Sequence, residues 1–194
     1  VRISFTVWAI PIAQPRVNPG RPALKKDGTV VCYKDSGAPV ILKANVPKEH
    51  PVHQFRHEVS VAGKAAMDGR ELLHDCPLGF TIRMFVPRPK WCNATIGRGK
   101  KKRPKYGTGP IRCWKKPDLD NLIKSTKDSL EGVIWYNDSQ IAAYGPCGKW
   151  YHEADGRPRV EVEVWTLEVL GGPATYGIDW YAEPDIDFHE EDRR

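Results

Sequence analysis

The sequence predicts a single α+β domain, a mixed β-sheet of about five strands with two main helices. Three observations carry this. Val1–Val7 and Val160–Val164 alternate apolar and polar residues, and Leu78–Val86 is a longer β-prone run, as strands of a half-buried sheet require. Two other segments, Val52 to about Leu73 and Asp118 to Leu130, repeat their apolar residues at helical spacing. A chain of 194 residues can build one domain with a proper core and is short for two.

In chain order, Val1 to Pro11 is a first strand with Ile3, Phe5 and Val7 on one face. Gln14-Pro15-Arg16 opens a loop that also carries Arg21, Lys25 and Lys26. Asp27-Gly28 is a hairpin-type turn, so Thr29–Tyr33 is expected to be a second strand. Residues 34–51, with Gly37, Pro39, Pro47 and Pro51, read as loop. Val52, Phe55, Val59, Ala62, Ala66 and Leu73 then mark the buried face of a helix that Gly63 and Gly69 weaken. Leu78–Val86 is a strand closed by Pro87-Arg88-Pro89-Lys90-Trp91, and residues 92–115 read as loop. A second helix follows and stops at Gly132. Val133–Tyr136 is β-prone, Asn137-Asp138 is a turn, and Ser139–Tyr144 starts another strand. Gly145–Gly148 breaks the chain before a last strand within Arg157–Leu170.

Charge is unevenly spread. Of 30 bases and 24 acids, the last 24 residues hold two bases and seven acids, leaving 28 bases and 17 acids, a net +11, on residues 1–170. Such a body suits a polyanion. The densest part is Gly97–Arg112, where Arg98, Lys100, Lys101, Lys102, Arg103, Lys105 and Arg112 occur without an acid. A run like this is either a solvated loop or a phosphate-binding one; its position just before the second helix favours phosphate, with Lys116 and Arg16 as further candidates. Trp91 and Trp114 flank it and Tyr106 lies within it, either as core aromatics or as surfaces for unpaired bases. The acidic residues 171–194 are expected to be a flexible tail. Five cysteines without a Cys-x-x-Cys pair argue against a structural zinc site and a disulfide framework. With no membrane-length apolar run and no signal-peptide pattern at Val1–Val7, the expectation is a cytoplasmic protein with no membrane partner.

The chemistry concentrates in Lys116–Ile141. Asp118 and Asp120 stand two residues apart at a helix start, and a turn can bring Asp138 back beside them if the following strand runs antiparallel to the helix. Neighbouring carboxylates repel unless a cation sits between them, and hard oxygens suit Mg²⁺. Lys124, one helical turn beyond Asp120, can reach a phosphate held there. Taken singly, each has an ordinary reading: helix caps for Asp118 and Asp120, a turn residue for Asp138, a solvated lysine for Lys124.

Together, Lys-Pro-Asp-Leu-Asp-Asn-Leu-Ile-Lys, then Asp-Ser-Leu-Glu-Gly, then Asn-Asp-Ser-Gln-Ile, resemble the signature of the RusA family of Holliday junction resolvases. The Pro-Arg-Pro-Lys run after the strand at 78–86 and Gln14-Pro15-Arg16 extend the likeness, which covers roughly residues 1–170. The resemblance implies a homodimeric, Mg²⁺-dependent endodeoxyribonuclease, with Mn²⁺ a possible substitute, that acts on four-way junctions in DNA recombination and repair. It places Asp118, Asp120 and Asp138 on catalytic, metal-binding positions and Lys124 on the catalytic lysine. Many members have Asp-Asp where this chain has Asn137-Asp138. Two rival readings remain: a nuclease for other branched DNA such as flaps or forks, and a non-catalytic protein that binds branched DNA.

Overall fold

Alternation along three strands builds the sheet and leaves one of its faces apolar. The computed structural model describes residues 1–15, 22–40 and 46–168. In order these form β1 (Arg2–Val7), α1 (Val52–Met67), β2 (Leu78–Val86), the short β3 (Thr95–Ile96), β4 (Arg103–Pro104) and β5 (Ile111–Arg112), α2 (Leu119–Leu130), β6 (Ile141–Tyr144), β7 (Gly148–Tyr151) and β8 (Arg159–Thr166). The main sheet runs β1-β8-β2-β7-β5, with β6 also on β2. β8 is antiparallel to both β1 and β2, whereas β6 and β7 run parallel to β2, so the sheet is mixed as expected, with six strands. β6 and β7 lie end to end along the same side of β2, and Gly145 between them donates to Phe80 O at 2.9 Å.

Period two decides which residues are buried. Phe80 pairs with Val164, Ile82 with Val162 and Met84 with Val160, and all six are buried. Both helices pack on this face, α1 through Phe55, Val59 and Met67 and α2 through Leu122 and Leu130. Each such side chain stabilises the fold by about 1.5–3 kcal/mol on burial. The residues between them point the other way and are polar: Thr81 opposes Glu163, and Arg83 opposes Glu161 with Nε 3.8 Å from a carboxylate oxygen. Gly63 lets the helices approach, because a Cβ there would lie 2.6 Å from Leu130 Cδ2.

Three expectations are corrected. The first helix ends at Met67 and does not reach Leu73, because Asp68 and Gly69 turn left-handed (φ 48° and 75°). Thr29–Tyr33 is not a sheet strand; the segment makes only isolated bridges, Leu24 to Val30 and Cys32 to Pro39, and its residues stay largely exposed, so burial adds little to its β-propensity. Val133–Tyr136 is a turn and not a strand. Gly132 follows α2 with φ 72°, and Ile134 and Trp135 fold under the helix into full burial, packing that overrides propensity. The expectations for Arg16 and for residues 171–194 lie outside the described residues.

Candidate active site

α2 has two working faces. Leu122, Ser125, Thr126, Ser129 and Leu130 are buried, and the hydroxyls of Thr126 and Ser129 donate back to Leu122 O (3.2 Å) and Ser125 O (2.6 Å). Asp120, Lys124 and Lys127 follow the i, i+4, i+7 rule on another face and line a cleft of about 440 Å³. Asp120 lies in the first turn, where the helix dipole favours a negative charge.

The cleft's other wall is the turn that carries Asp138. Asn137 Oδ1 accepts from Ser139 N–H at 2.9 Å, and Gln140 Oε1 accepts the N–H groups of Tyr136 and Asn137 at 3.0 Å each. Gln140 Nε2 then donates to Leu73 O (3.0 Å) and Cys76 O (3.3 Å), anchoring the turn. Asn137 is thus the cap of a single 3₁₀ turn, Asp138–Gln140.

Lys127 joins the two walls. Its Nζ stands 3.4 Å from Asp138 Oδ2 and 3.0 Å from the Tyr144 hydroxyl. Burial works against its charge, but the Tyr144 hydroxyl and the Asp138 carboxylate outweigh it and hold the lysine pKa above the usual value. The lysine side chain is only 14% exposed while Asp138 is 49% exposed. The ammonium is therefore fixed, and the carboxylate stays open to a ligand. Cys147 also lines the cleft, and burial pushes its thiol pKa up, so it supplies no thiolate.

Asp118 is the N-cap of α2, without a side-chain capping hydrogen bond, and lines an adjoining cleft of about 500 Å³ with Gln14, Lys116 and Asn121. The structure brings Asp120 and Asp138 into one cleft and places Asp118 in the next. Among the described residues, no group of three His, Cys, Asp or Glu is close enough to hold a metal ion. Two open carboxylates nevertheless fit Mg²⁺, which takes one or two, with water and phosphate oxygens completing its shell.

The run expected as loop is partly ordered. β3 and β4 pair as a two-stranded ribbon, and Arg98, Lys100, Lys101, Lys102, Arg103, Lys105, Arg112 and Lys116 are all exposed. One guanidinium organises its base. Arg88 donates to Asn93 Oδ1 (3.0 Å) and to the carbonyls of Gly107 (2.9 Å), Gly109 (2.8 Å), Cys92 (3.4 Å) and His152 (3.1 Å). Arg112 lies over the Trp150 ring, 4.5 Å from its centroid.

With this geometry in place, the likeness to known proteins decides the family. Residues 17–165, more than half of the chain, match the family "Endodeoxyribonuclease RusA". The chain belongs to the RusA endodeoxyribonuclease family. It is also 31% identical over 162 residues to "Uncharacterized protein YqaN" of Bacillus subtilis (strain 168), covering 84% of this chain and 94% of that one.

Against the RusA signature, Asp120, Lys124 and Asp138 share the cleft, and Asp118 caps the same helix one cleft away. Four further residues join the site only in three dimensions. Lys127 carries a signal in the sequence, its seven-residue spacing from Asp120 on a helix. Tyr144 carries none, because its partner is distant in the chain, and Arg88 is marked only by the Pro-Arg-Pro-Lys run, which does not foretell the carbonyls of Gly107, Gly109 and His152 that it binds. Lys149 is the fourth: from β7 its Nζ donates to the carbonyls of Lys115 and Pro117, clamping the backbone that leads into α2. On the other side Arg56 pairs with Asp128 at 2.6 Å and also donates to Gln14 Oε1, tying α1, α2 and the segment after β1 together. Among the described residues, no helix is long and apolar enough to cross a membrane.

Proposed function

We propose that this chain resolves four-way DNA junctions by paired, symmetric nicking, as a Mg²⁺-dependent homodimer acting in DNA recombination and repair. One observation carries the reading: Asp120 and Asp138 share a solvent-open cleft with the two lysines Lys124 and Lys127. Asp120 and Asp138, with Asp118 at the same helix end, would hold Mg²⁺ or Mn²⁺. When bound, such an ion polarises phosphate and lowers the pKa of water. Lys124 offers its ammonium to the scissile phosphate, where it favours the charge that builds up in the transition state. Lys127 keeps Asp138 facing the cleft. The exposed cations of the ribbon, with Arg112 and Lys116, and with Arg16 by its sequence position, bind the sugar–phosphate backbone.

Two copies related by a two-fold axis present two clefts to a substrate with the same symmetry, which is what paired nicks require. Residues 1–170 form the endonuclease unit, residues 171–194 are an extension of acidic composition, and the substrate is DNA in the cytoplasm.

The test is cleavage of a synthetic four-way junction with and without Mg²⁺, beside a linear duplex, a flap and a fork of matched sequence. Paired, symmetric, Mg²⁺-dependent nicks in the junction alone are expected. Preferential cutting of flaps or forks would replace the junction as substrate, and tight binding without nicks in any divalent ion would overturn the hydrolytic role.

A further inference from the structure

A cluster of aromatic rings stands immediately before the catalytic helix, and the cleft does not use it. Trp91 is its hub. Its ring meets Tyr106 edge-on at 5.4 Å, Tyr151 edge-on at 5.6 Å and Trp114 at 5.6 Å with a 51° tilt. Beneath it, Val86, Cys92, Cys113 and Tyr151 make a small second core, so Trp91 is anchored from below. Trp114 is different: it is 70% exposed, and Tyr106 is 41% exposed. Of the two readings open for these aromatics, packing accounts for Trp91 and leaves Trp114 unexplained.

The chain on both sides of Trp114 is held. Cys113 N–H donates to Lys149 O at 3.0 Å, and Lys149 Nζ grips the carbonyls of Lys115 and Pro117. The indole is therefore presented on fixed backbone, at low ordering cost for a ligand that stacks on it. Cations frame the patch: Lys115 Nζ lies 5.7 Å from the Trp91 centroid and Lys105 Nζ 5.1 Å from that of Tyr106. No acid occurs from Gly97 to Pro117. The matching ligand has a flat π-face with negative charge on both sides, which describes a nucleobase between two phosphates. In a paired duplex those faces are buried in the stack; at a branch point they are not.

The geometry points to Trp114, backed by Trp91 and flanked by Lys105 and Lys115, as a stacking site for an unpaired nucleobase at the branch of the DNA. This rests on branched DNA being the substrate, and it adds a residue that separates branched from linear DNA before any bond is cut. Trp114 does not line the catalytic cleft, so its role is recognition.

The experiment measures equilibrium binding in a chelator, where nothing is cleaved. The ligands are a junction carrying one unpaired 2-aminopurine at its branch and a fully paired linear duplex of the same length, at the same salt concentration. Trp114→Ala is expected to weaken junction binding about tenfold and leave duplex binding unchanged, with Trp114→Phe restoring most of the loss. The intact protein should quench the 2-aminopurine and Trp114→Ala should not. An equal loss on both ligands, no loss on either, or no quenching by the intact protein would overturn the site. The outcome separates from that of the proposed nuclease function. Trp114-dependent quenching without Mg²⁺-dependent nicks would leave stacking standing and nuclease action fallen. Mg²⁺-dependent nicks by a protein whose junction binding is the same with Trp114→Ala would do the reverse.

Discussion

Lys127 and Asp138 form an ion pair across the cleft, Nζ to Oδ2 3.4 Å, in which the lysine is nearly buried and the carboxylate half open. A cation bound at Asp138 must share that oxygen with the ammonium. A partly exposed pair of this kind is worth about 0.2–1 kcal/mol. Lys127→Met is therefore expected to tighten Mn²⁺ binding by DNA-free protein about twofold to fivefold. Junction cleavage should nevertheless fall, because Asp138 loses the group that aims it. Calorimetric titration beside single-turnover cleavage checks both halves.

Asp120→Asn keeps the shape of the cleft and removes one of its three carboxylate charges, leaving Asp138 and the Arg56-paired Asp128. Junction cleavage should drop by at least about a hundredfold, the scale on which loss of one charge-stabilising group acts in an active site. Affinity for DNA in a chelator should stay within about twofold, since it comes from the exposed bases. Cleavage at the normal rate would remove Asp120 from the site.

Arg88 and the ribbon lysines should separate cleanly by salt dependence. Lys100, Lys101 and Lys102 are exposed charges, and changing all three to Gln should lower the slope of log affinity against log salt by about 0.9 for each phosphate left without its cation. Arg88 spends its donors on the carbonyls of Cys92, Gly107, Gly109 and His152. Arg88→Ala should therefore weaken binding by loosening the ribbon while the slope stays nearly the same, and should lower the melting temperature because these carbonyls lose their donor.

Acid stability should depend on Glu153. Arg159 hydrogen-bonds both of its carboxylate oxygens at 2.8 Å, which lowers the Glu153 pKa below the ordinary 4.5 against the opposing effect of burial. A depressed acid contributes stability that is fully present above its unfolded pKa and is lost as pH falls through the folded value. The melting temperature should thus decline below about pH 4.5, and Glu153→Gln should lower the neutral plateau and flatten that decline.

What could be read in the chain follows from where its information is stored. The strands at Arg2–Val7 and Arg159–Thr166 and both helices announce themselves by local periodicity, because each buries one face, and Leu78–Val86 announces itself as a continuous β-prone run, buried almost throughout. Thr29–Tyr33 had propensity without burial, and Val133–Tyr136 had burial that propensity could not foresee, so both departed from expectation. In the site, Asp120, Lys124 and Asp138 were legible as a motif. Lys127 was legible only as spacing and Arg88 only as part of the Pro-Arg-Pro-Lys run, while Tyr144 and Lys149 were not legible at all, since each acts on groups far away in sequence. Asn137 shows a motif position serving as a cap, with its side chain spent on Ser139 N–H.

The two faces of α2 tie durability to aim. Leu122 and Leu130 seat one side of the helix in the core while Asp120, Lys124 and Lys127 work on another, and one residue of helical rotation is about 100°. The helix acts as an axle whose bearing is the core. A conservative loss of packing, such as Leu122→Val, should therefore blunt the enzyme before it unfolds it, because part of the hydrophobic interior serves pointing accuracy as well as holding the fold together.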